Sequence, residues 1–282
     1  ARVTGGASRG CALKSMGLYA NKRFGEKRFN YEFFPDQRQG ITDFKSVMMR
    51  NAGNDFDYLY MRDAVIQRIM SENVDIDWQA WRPAIFFLNG QYKGILNIRE
   101  RSNEDNIYTN YDGLEDIDMV ENWYELKEGD YDEWKAFMDF YQAHGHSYEE
   151  YDKIMDVSEF MNVMILNLFF CNLDFPGNNI VWWKPQAEGG RWRVIVKDTD
   201  FGLGLYGRSV SYNTIKWLYD PNYDKENAWA NRYEHTRLFR RLMEDERFSR
   251  EFIDRCAIYM GDFMNFDRTW EIWEPMYNLI RN

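Results

Sequence analysis

The sequence predicts an α+β fold of two lobes, an antiparallel sheet lobe towards the N-terminus and a mainly helical lobe towards the C-terminus. Three observations carry this. Two apolar runs, Ala84 to Leu88 and Tyr92 to Ile98, flank Asn89-Gly90, the strongest short-range hairpin signal. Apolar residues recur at helical spacing from Tyr58 to Met70 and again after Ser158. Beyond Asn231 the chain reads as helix over Thr236 to Met243, Phe248 to Phe263 and Arg268 towards Ile280. The 282 residues divide at residues 1–115 and 116–282, two lobes of one domain sharing a cleft.

The bulk properties narrow the function classes. Apolar residues make up 45% and aromatics 18%, ample for a large core, so the aromatics read as packing before they read as surface for a sugar or protein. A net charge of −11, from 35 basic and 46 acidic residues, argues against a nucleic-acid binder, which needs a basic face. It is compatible with ATP, whose phosphates a few cations and a divalent metal can meet. Cys11, Cys171 and Cys256 show no paired spacing and three histidines are scattered, so neither a zinc site nor a disulfide framework is indicated. No apolar run is long enough to span a bilayer. The chain does not begin with Met, and Arg2-Val3-Thr4 reads as a strand interior, so the expectation is that a leader or domain precedes it.

Taken in order, residues 1–35 read as β-structure around Gly5-Gly6-Ala7-Ser8-Arg9-Gly10, with a strand within Cys11 to Ala20 and another over Arg28 to Phe34. Asn21 to Lys27 suits a hairpin loop between them. The Gly-Gly turn beside Ser8, Arg9 and Lys14 can cradle phosphates through backbone N–H groups and cations, although it matches no P-loop and most Gly-rich turns are only turns. Phe44 to Arg50 reads as a buried strand, and Asn54 or Asp55 as the cap of the helix that follows. Arg50 at that strand end can hold a phosphate or an acidic residue; an ordinary ion pair is the plainer alternative.

After the hairpin, Glu100 can pair with Lys14 across the sheet, as the lysine–glutamate pair of kinases does, or be a solvated strand-end charge. Ser102 or Asn103 caps a short helix. Met119 to Leu126 reads as a strand and Tyr131 to Ala143 as an amphipathic helix, while His144 and His146 read as surface residues. The helix from Ser158 carries apolar residues nearly all round and makes a rigid platform for the loop Asn172 to Asn179. Ile180 to Lys184 and Trp192 to Val196 form a second hairpin, whose period of two puts Trp192, Val194, Val196, Asp198 and Asp200 on one side. Residues 203–233 lack periodicity and read as a long loop near the active face.

The chemistry concentrates between Asp156 and Gly207. An Asp, an Asn five residues on, then Asp-Phe-Gly across a hairpin is the order in which kinase-like phosphotransferases place a base and two metal ligands. Asp174 would orient or deprotonate an acceptor hydroxyl. Asn179 with Asp198 or Asp200 would hold Mg²⁺ or Mn²⁺ against phosphates, and two aligned acids repel unless a cation lies near them. Each pattern alone is common: Asp174 and the Asn pair also serve as turn formers, and Asp198 and Asp200 as strand caps.

The ordered set Arg2-Val3-Thr4-Gly5-Gly6-Ala7-Ser8-Arg9, Leu13-Lys14-Ser15 and Met49-Arg50-Asn51-Ala52-Gly53-Asn54-Asp55 resembles the spore-coat protein H (CotH) family. Asn89-Gly90-Gln91-Tyr92-Lys93-Gly94, Arg99-Glu100 and the Asp174, Asn179, Asp198-Thr199-Asp200 series fit the same family, so the likeness runs to about Gly204. The resemblance implies an atypical protein-kinase fold and an ATP- and divalent-metal-dependent transfer to Ser or Thr of a secreted or spore-surface protein. It implies an exported bacterial protein of the cell surface or extracellular space. Carried over, Asp174 matches the catalytic Asp, Asn179 the metal-side Asn, Asp198 and Asp200 the D-x-D, and Lys14 a basic position near the nucleotide. Members with paired lysines preceded by Pro differ from Ala12-Leu13-Lys14 here, and Pro176-Gly177 lies inside the catalytic loop. Family members also occur in extracellular polysaccharide-degrading assemblies. The alternative is therefore a non-catalytic module, a pseudokinase binding glycan or protein at the cell surface.

Overall fold

The computed structural model describes residues 1–281. The chain begins with short strands β1 (Arg2–Val3), β2 (Met16–Tyr19), β3 (Phe29–Asn30), β4 (Asp43–Phe44) and β5 (Ser46–Arg50). Helix α1 (Arg62–Ser71) leads into the hairpin β6 (Trp81–Leu88) and β7 (Gln91–Arg99). Helix α2 (Glu104–Asn110) then precedes β8 (Ile117–Glu121), β9 (Glu125–Glu128), α3 (Asp132–Gln142), α4 (Tyr148–Asp152) and the central helix α5 (Val157–Phe169). Strands β10 (Ile180–Pro185) and β11 (Arg193–Val196) follow, and α6 (Thr214–Tyr219), α7 (Tyr233–Leu242), α8 (Glu246–Gly261) and α9 (Phe266–Ile280) complete the fold.

Two antiparallel sheets dominate. The first has the order β1-β2-β5-β7-β6 and the second β11-β10-β8-β9, while β3 and β4 pair separately. Asn89-Gly90 turns β6 into β7 as expected, and Pro83 is tolerated because β6 is an edge strand. Strands β8, β10 and β11 of the second sheet are buried on both faces, and its edge strand β9 is exposed. Trp182, Trp192, Val194 and Val196 join the main core with α3 and α5, while Val181, Trp183 and Ile195 join Ile107, Ile117 and Met119 in a smaller one. Asp156 caps α5 by accepting from the N–H of Glu159, and the helix is buried nearly all round. It is the platform that the sequence predicts.

Several elements differ from expectation for local reasons. The strand over Arg28 to Phe34 shrinks to two residues, because Phe33 and Phe34 both turn into one aromatic cluster with Phe44, which alternation forbids. Asn21 to Lys27 is no hairpin loop, since β2 pairs with β1 and β5 and β3 pairs with β4. The helix predicted from Tyr58 starts at Arg62. Asp55 holds the turn before it by accepting from the N–H groups of Leu59 and Arg62, and Tyr60 takes a positive φ. Met119 to Leu126 is a hairpin, β8 to β9, turning through left-handed Asn122 and Trp123. Residues 203–233 contain α6 and bury Leu205, Trp217, Leu218 and Ala230, so the segment is anchored. Helix α9 packs against α1 rather than only closing the helical lobe. Among the described residues no helix is long and apolar enough to cross a membrane.

Candidate active site

A cleft of about 970 Å³ opens between the first sheet and the loops that follow α5 and β11. The segment Gly5 to Ser8 lines it, together with Asp174, Asn179 and Asp198. Arg2, Arg101, Lys127 and Lys197 also line it, as does the half-exposed indole of Trp229.

The hexapeptide Arg50 to Asp55, which begins with the last residue of β5, ties the parts of the cleft together, each residue for a distinct reason. Arg50 ends the strand and directs its guanidinium to both Asp198 and Asp200, the latter at 2.8 Å. Asn51 is wholly buried and ties down the Gly-rich segment: its Nδ2 donates to the carbonyls of Ser8 and Leu13, and its Oδ1 accepts from Ser15 Oγ at 2.7 Å. Ala52 takes a left-handed φ of 70°. Gly53 must be glycine, since a Cβ there would lie 2.3 Å from Asp200 Oδ2 and 2.5 Å from Arg50 Nη2. Asn54 donates to Asp200 through its backbone N–H at 2.8 Å and its Nδ2 at 3.2 Å. Asp55 holds the start of α1 and receives Arg62 Nε at 3.1 Å.

The alternation of β11 stops at Asp198, whose φ of 51° is left-handed, and Thr199 to Phe201 form a 3₁₀ turn. Period two therefore does not set the two acids, as expected from the strand; the turn does. Asp200 is wholly buried with its oxygens taken up by Arg50 and Asn54, whereas the Asp198 side chain is 29% exposed to the cleft. Thr199 between them is fixed by Asp63 of α1, which accepts from its N–H at 2.9 Å and its hydroxyl at 3.0 Å. Asp63 also faces Arg99 at 3.3 Å and accepts from Gln67. Burial would raise its pKa, yet Arg99 and Arg50 with the N–H of Thr199 bring it down to about 2. Arg62 closes the segment beyond, donating to the carbonyls of Gly202 and Leu203.

Asp174 follows a different plan. Buried Leu173 and Phe175 anchor the loop on either side of it. Its carboxylate accepts from the side-chain amides of Asn178, at 3.3 Å to each oxygen, and Asn179. Burial first and Asp198 second push its pKa up to about 7, while Asn178, Asn179 and Lys197 offset them only in part. Asp200 is likewise raised, by burial and then Asp198. Pro176-Gly177 fits the loop to its surroundings: Trp123 Nε1 donates to the Pro176 carbonyl, and a Cβ on Gly177 would meet Ala230 at 2.6 Å. The glycine thus lets the segment carrying Trp229 approach the loop.

Of the residues singled out in the sequence, Ser8, Arg50, Asp174, Asn179 and Asp198 line one cleft, and Asp200 lies directly behind Asp198 and Arg50. Arg9 and Lys14 are exposed, and Lys14 Nζ donates to the carbonyls of Arg9 and Cys11. Glu100 is buried, accepting from Arg38, the N–H of Ala80 and Asn110. The Lys14–Glu100 pair is therefore not formed, because each side chain is satisfied by nearer partners. Neighbours Ala12 and Leu13 face an apolar recess with Tyr60, Ile95 and Ile280. The sequence marks Asn51 and Asn54 only within the segment Met49 to Asp55, and it does not single out Arg62 or Asp63 as site residues. The signal of that pair is two adjacent charges at the head of an apolar helix. Their partners Asp55, Arg99 and Thr199 all lie in the segments that carry the family likeness.

Among the described residues no three His, Cys, Asp or Glu side chains are grouped so as to hold a metal ion by themselves. The cleft-facing donors are oxygen atoms, Asp198 and the amide of Asn179, whose nitrogen is committed to Asp174. One or two carboxylates completed by phosphate oxygens and water is the donor set that suits Mg²⁺ or Mn²⁺. The residues present fit such an ion.

No curated protein matches the chain. The family described as CotH kinase protein matches residues 1–282, the whole sequence. The chain belongs to that family, which is kinase-like and consistent with the two-lobed α+β architecture seen here.

Proposed function

We propose that this CotH-family member is an ATP- and Mg²⁺- or Mn²⁺-dependent phosphotransferase, acting on Ser or Thr hydroxyls of an exported or cell-surface protein. One observation supports it above the rest. Two loops that are separate in sequence, Asp174 to Asn179 and Asp198 to Asp200, meet in one cleft that the Gly-rich segment also lines. Phosphoryl transfer needs positioning and charge neutralisation more than covalent help; these loops would supply the first and hold the cation for the second.

In this reading Asp174 accepts the proton of the acceptor hydroxyl. A pKa of about 7 leaves it able to hold that proton, and Asn178 and Asn179 fix its orientation. Asp198 and Asn179 hold the cation, which neutralises the phosphates when bound. Asp200, Asn54 and Asp63 fix the turn that carries Asp198. Backbone N–H groups around Gly5 to Ser8, with Arg2, Lys127 and Lys197, face the nucleotide.

Thermal unfolding with and without ATP and Mn²⁺ or Mg²⁺ tests the reading. A ligand bound only by the native state adds about 2.7 kcal/mol at a hundredfold excess over Kd, and the shift should require metal and vanish in Asp198→Ala. Radiolabel transfer from γ-labelled ATP to added protein follows. No shift at millimolar ATP with either metal would sink it.

A second reading, a non-catalytic module that keeps the fold, draws on the separation of Lys14 from Glu100 and on exposed aromatics such as Trp229 and Tyr206. Glycan binding that survives Asp174→Asn and Asp198→Asn would favour it.

A further inference from the structure

Arg50 is bound in an unusual way for an arginine. A single nitrogen, Nη2, donates to both Asp198 and Asp200, while Nε is buried with no hydrogen-bond partner. Arginines that recognise a carboxylate generally present two parallel N–H groups to it. Here the group acts as a point charge shared by two acids. It is nearly buried, at 11% side-chain exposure, yet it also forms part of the cleft wall beside Gly53 and Ser8.

The two acids depend on it unequally. Asp200 keeps the N–H and Nδ2 of Asn54 whatever Arg50 does. Asp198 has Arg50 as its hydrogen-bond donor among the described residues, and it is the acid that faces the cleft. A divalent cation on Asp198 would lie against the guanidinium, and two like charges cannot share that carboxylate without strong repulsion. Once Nη2 leaves Asp198, it forms with Nη1 a fork of parallel N–H groups that suits phosphate oxygens.

We infer that Arg50 is an exchangeable counter-ion. It neutralises Asp198 and Asp200 while no divalent cation is bound, and it releases Asp198 when cation and nucleotide enter together, turning its fork to the phosphates. The inference rests on the phosphotransferase reading of this cleft and adds a reason for metal and nucleotide to bind cooperatively. Asn54 keeps Asp200 satisfied during the exchange, and Gly53 leaves the space in which the guanidinium sits.

The test is a Mn²⁺ titration followed by the paramagnetic signal of the free ion, on wild type, Arg50→Gln and Arg50→Lys, each with and without a non-hydrolysable ATP analogue. Without nucleotide, Arg50→Gln should bind Mn²⁺ about tenfold more tightly than wild type, because its competitor is gone, a coupling of ordinary size. With Mn²⁺ saturating, the same variant should bind the analogue about tenfold more weakly. A merely structural arginine would lower both affinities together. Arg50→Lys, which retains the charge and protects against a misfolded Gln variant, should match wild type for Mn²⁺ alone and lose analogue affinity. If wild type binds Mn²⁺ with the analogue but Arg50→Gln gains nothing for Mn²⁺ alone, the exchange is overturned and the phosphotransferase reading stands. Arg50→Lys that binds both ligands as wild type does would also overturn it. If no variant binds Mn²⁺ with or without the analogue, both ideas fall.

Discussion

The Asp174 loop and the Asp198 to Asp200 turn face the same cleft, and burial and Asp198 raise both Asp174 and Asp200, but the two are held by different kinds of neighbour. Neutral amides hold Asp174, so its carboxylate keeps much of the cost of burial and its pKa rises to about 7. The turn is held by Arg50, by Asn54 and, through Asp63, by a second buried arginine, Arg99. A group left under-compensated is suited to take and release a proton, and a group tied to a cation is suited to hold a charge in place. The difference comes from the neighbours, since the acids are chemically alike.

The largest effect should come from treating the two sides alike. Asp174→Asn should lower phosphoryl transfer about 10²- to 10⁴-fold while leaving the metal-dependent thermal shift intact, as expected for loss of a proton acceptor. Asp198→Asn should lose both. Equal behaviour of the two variants in transfer and in thermal shift would break the comparison.

Next in size is stability. Asp63→Ala leaves Arg99 buried without its carboxylate partner, which should cost about 3–5 kcal/mol in urea unfolding. Asp174→Asn should cost far less or even stabilise, because it removes an under-compensated charge. An Asp63→Ala variant as stable as wild type would show that the turn is not held through α1.

The pH dependence of stability in metal-free protein should separate the two plans by sign. Asp174 has a folded value of about 7 against an ordinary 3.8, so the folded state binds its proton more tightly. Its contribution is full below about 4 and is lost as pH rises through 7. Asp63 has a folded value of about 2, so its contribution is full above 3.8 and is lost as pH falls towards 2. Asp174→Asn should flatten the neutral side of the stability profile, and Asp63→Asn the acid side. The reverse assignment would refute the electrostatic argument.

The smallest effect should be at Lys14. Exposed and, among the described residues, bonded only to the carbonyls of Arg9 and Cys11, its change to Ala should shift stability by no more than about 0.5 kcal/mol. Loss of nucleotide-dependent stabilisation in that variant would instead place Lys14 at the phosphates and sharpen the account of the Gly-rich side.

Much of the fold follows from short stretches of sequence. Asn89-Gly90 fixes a hairpin, the apolar circumference of Val157 to Phe169 fixes a buried helix, and the last three helices announce themselves by period. Asp174, Asn179, Asp198 and Asp200 were legible for the same reason: their spacing is local, and the order of loop, hairpin and turn is a property of the chain. Interactions between neighbours in sequence are independent of where the rest of the molecule lies.

What only the tertiary structure decided is which partner each charge has. Arg50 meets Asp198 and Asp200 across 148 and 150 residues, and Thr199 meets Asp63 across 136. Lys14 and Glu100 looked like a pair by analogy, but packing gave Glu100 to Arg38 and left Lys14 to backbone carbonyls. Period two predicted that Asp198 and Asp200 continue the face of β11, and a left-handed residue at Asp198 reset that direction. Such outcomes depend on burial, on the space beside Gly53 and on competition among distant groups, all of which exist only once the two sheets and α1 have come together.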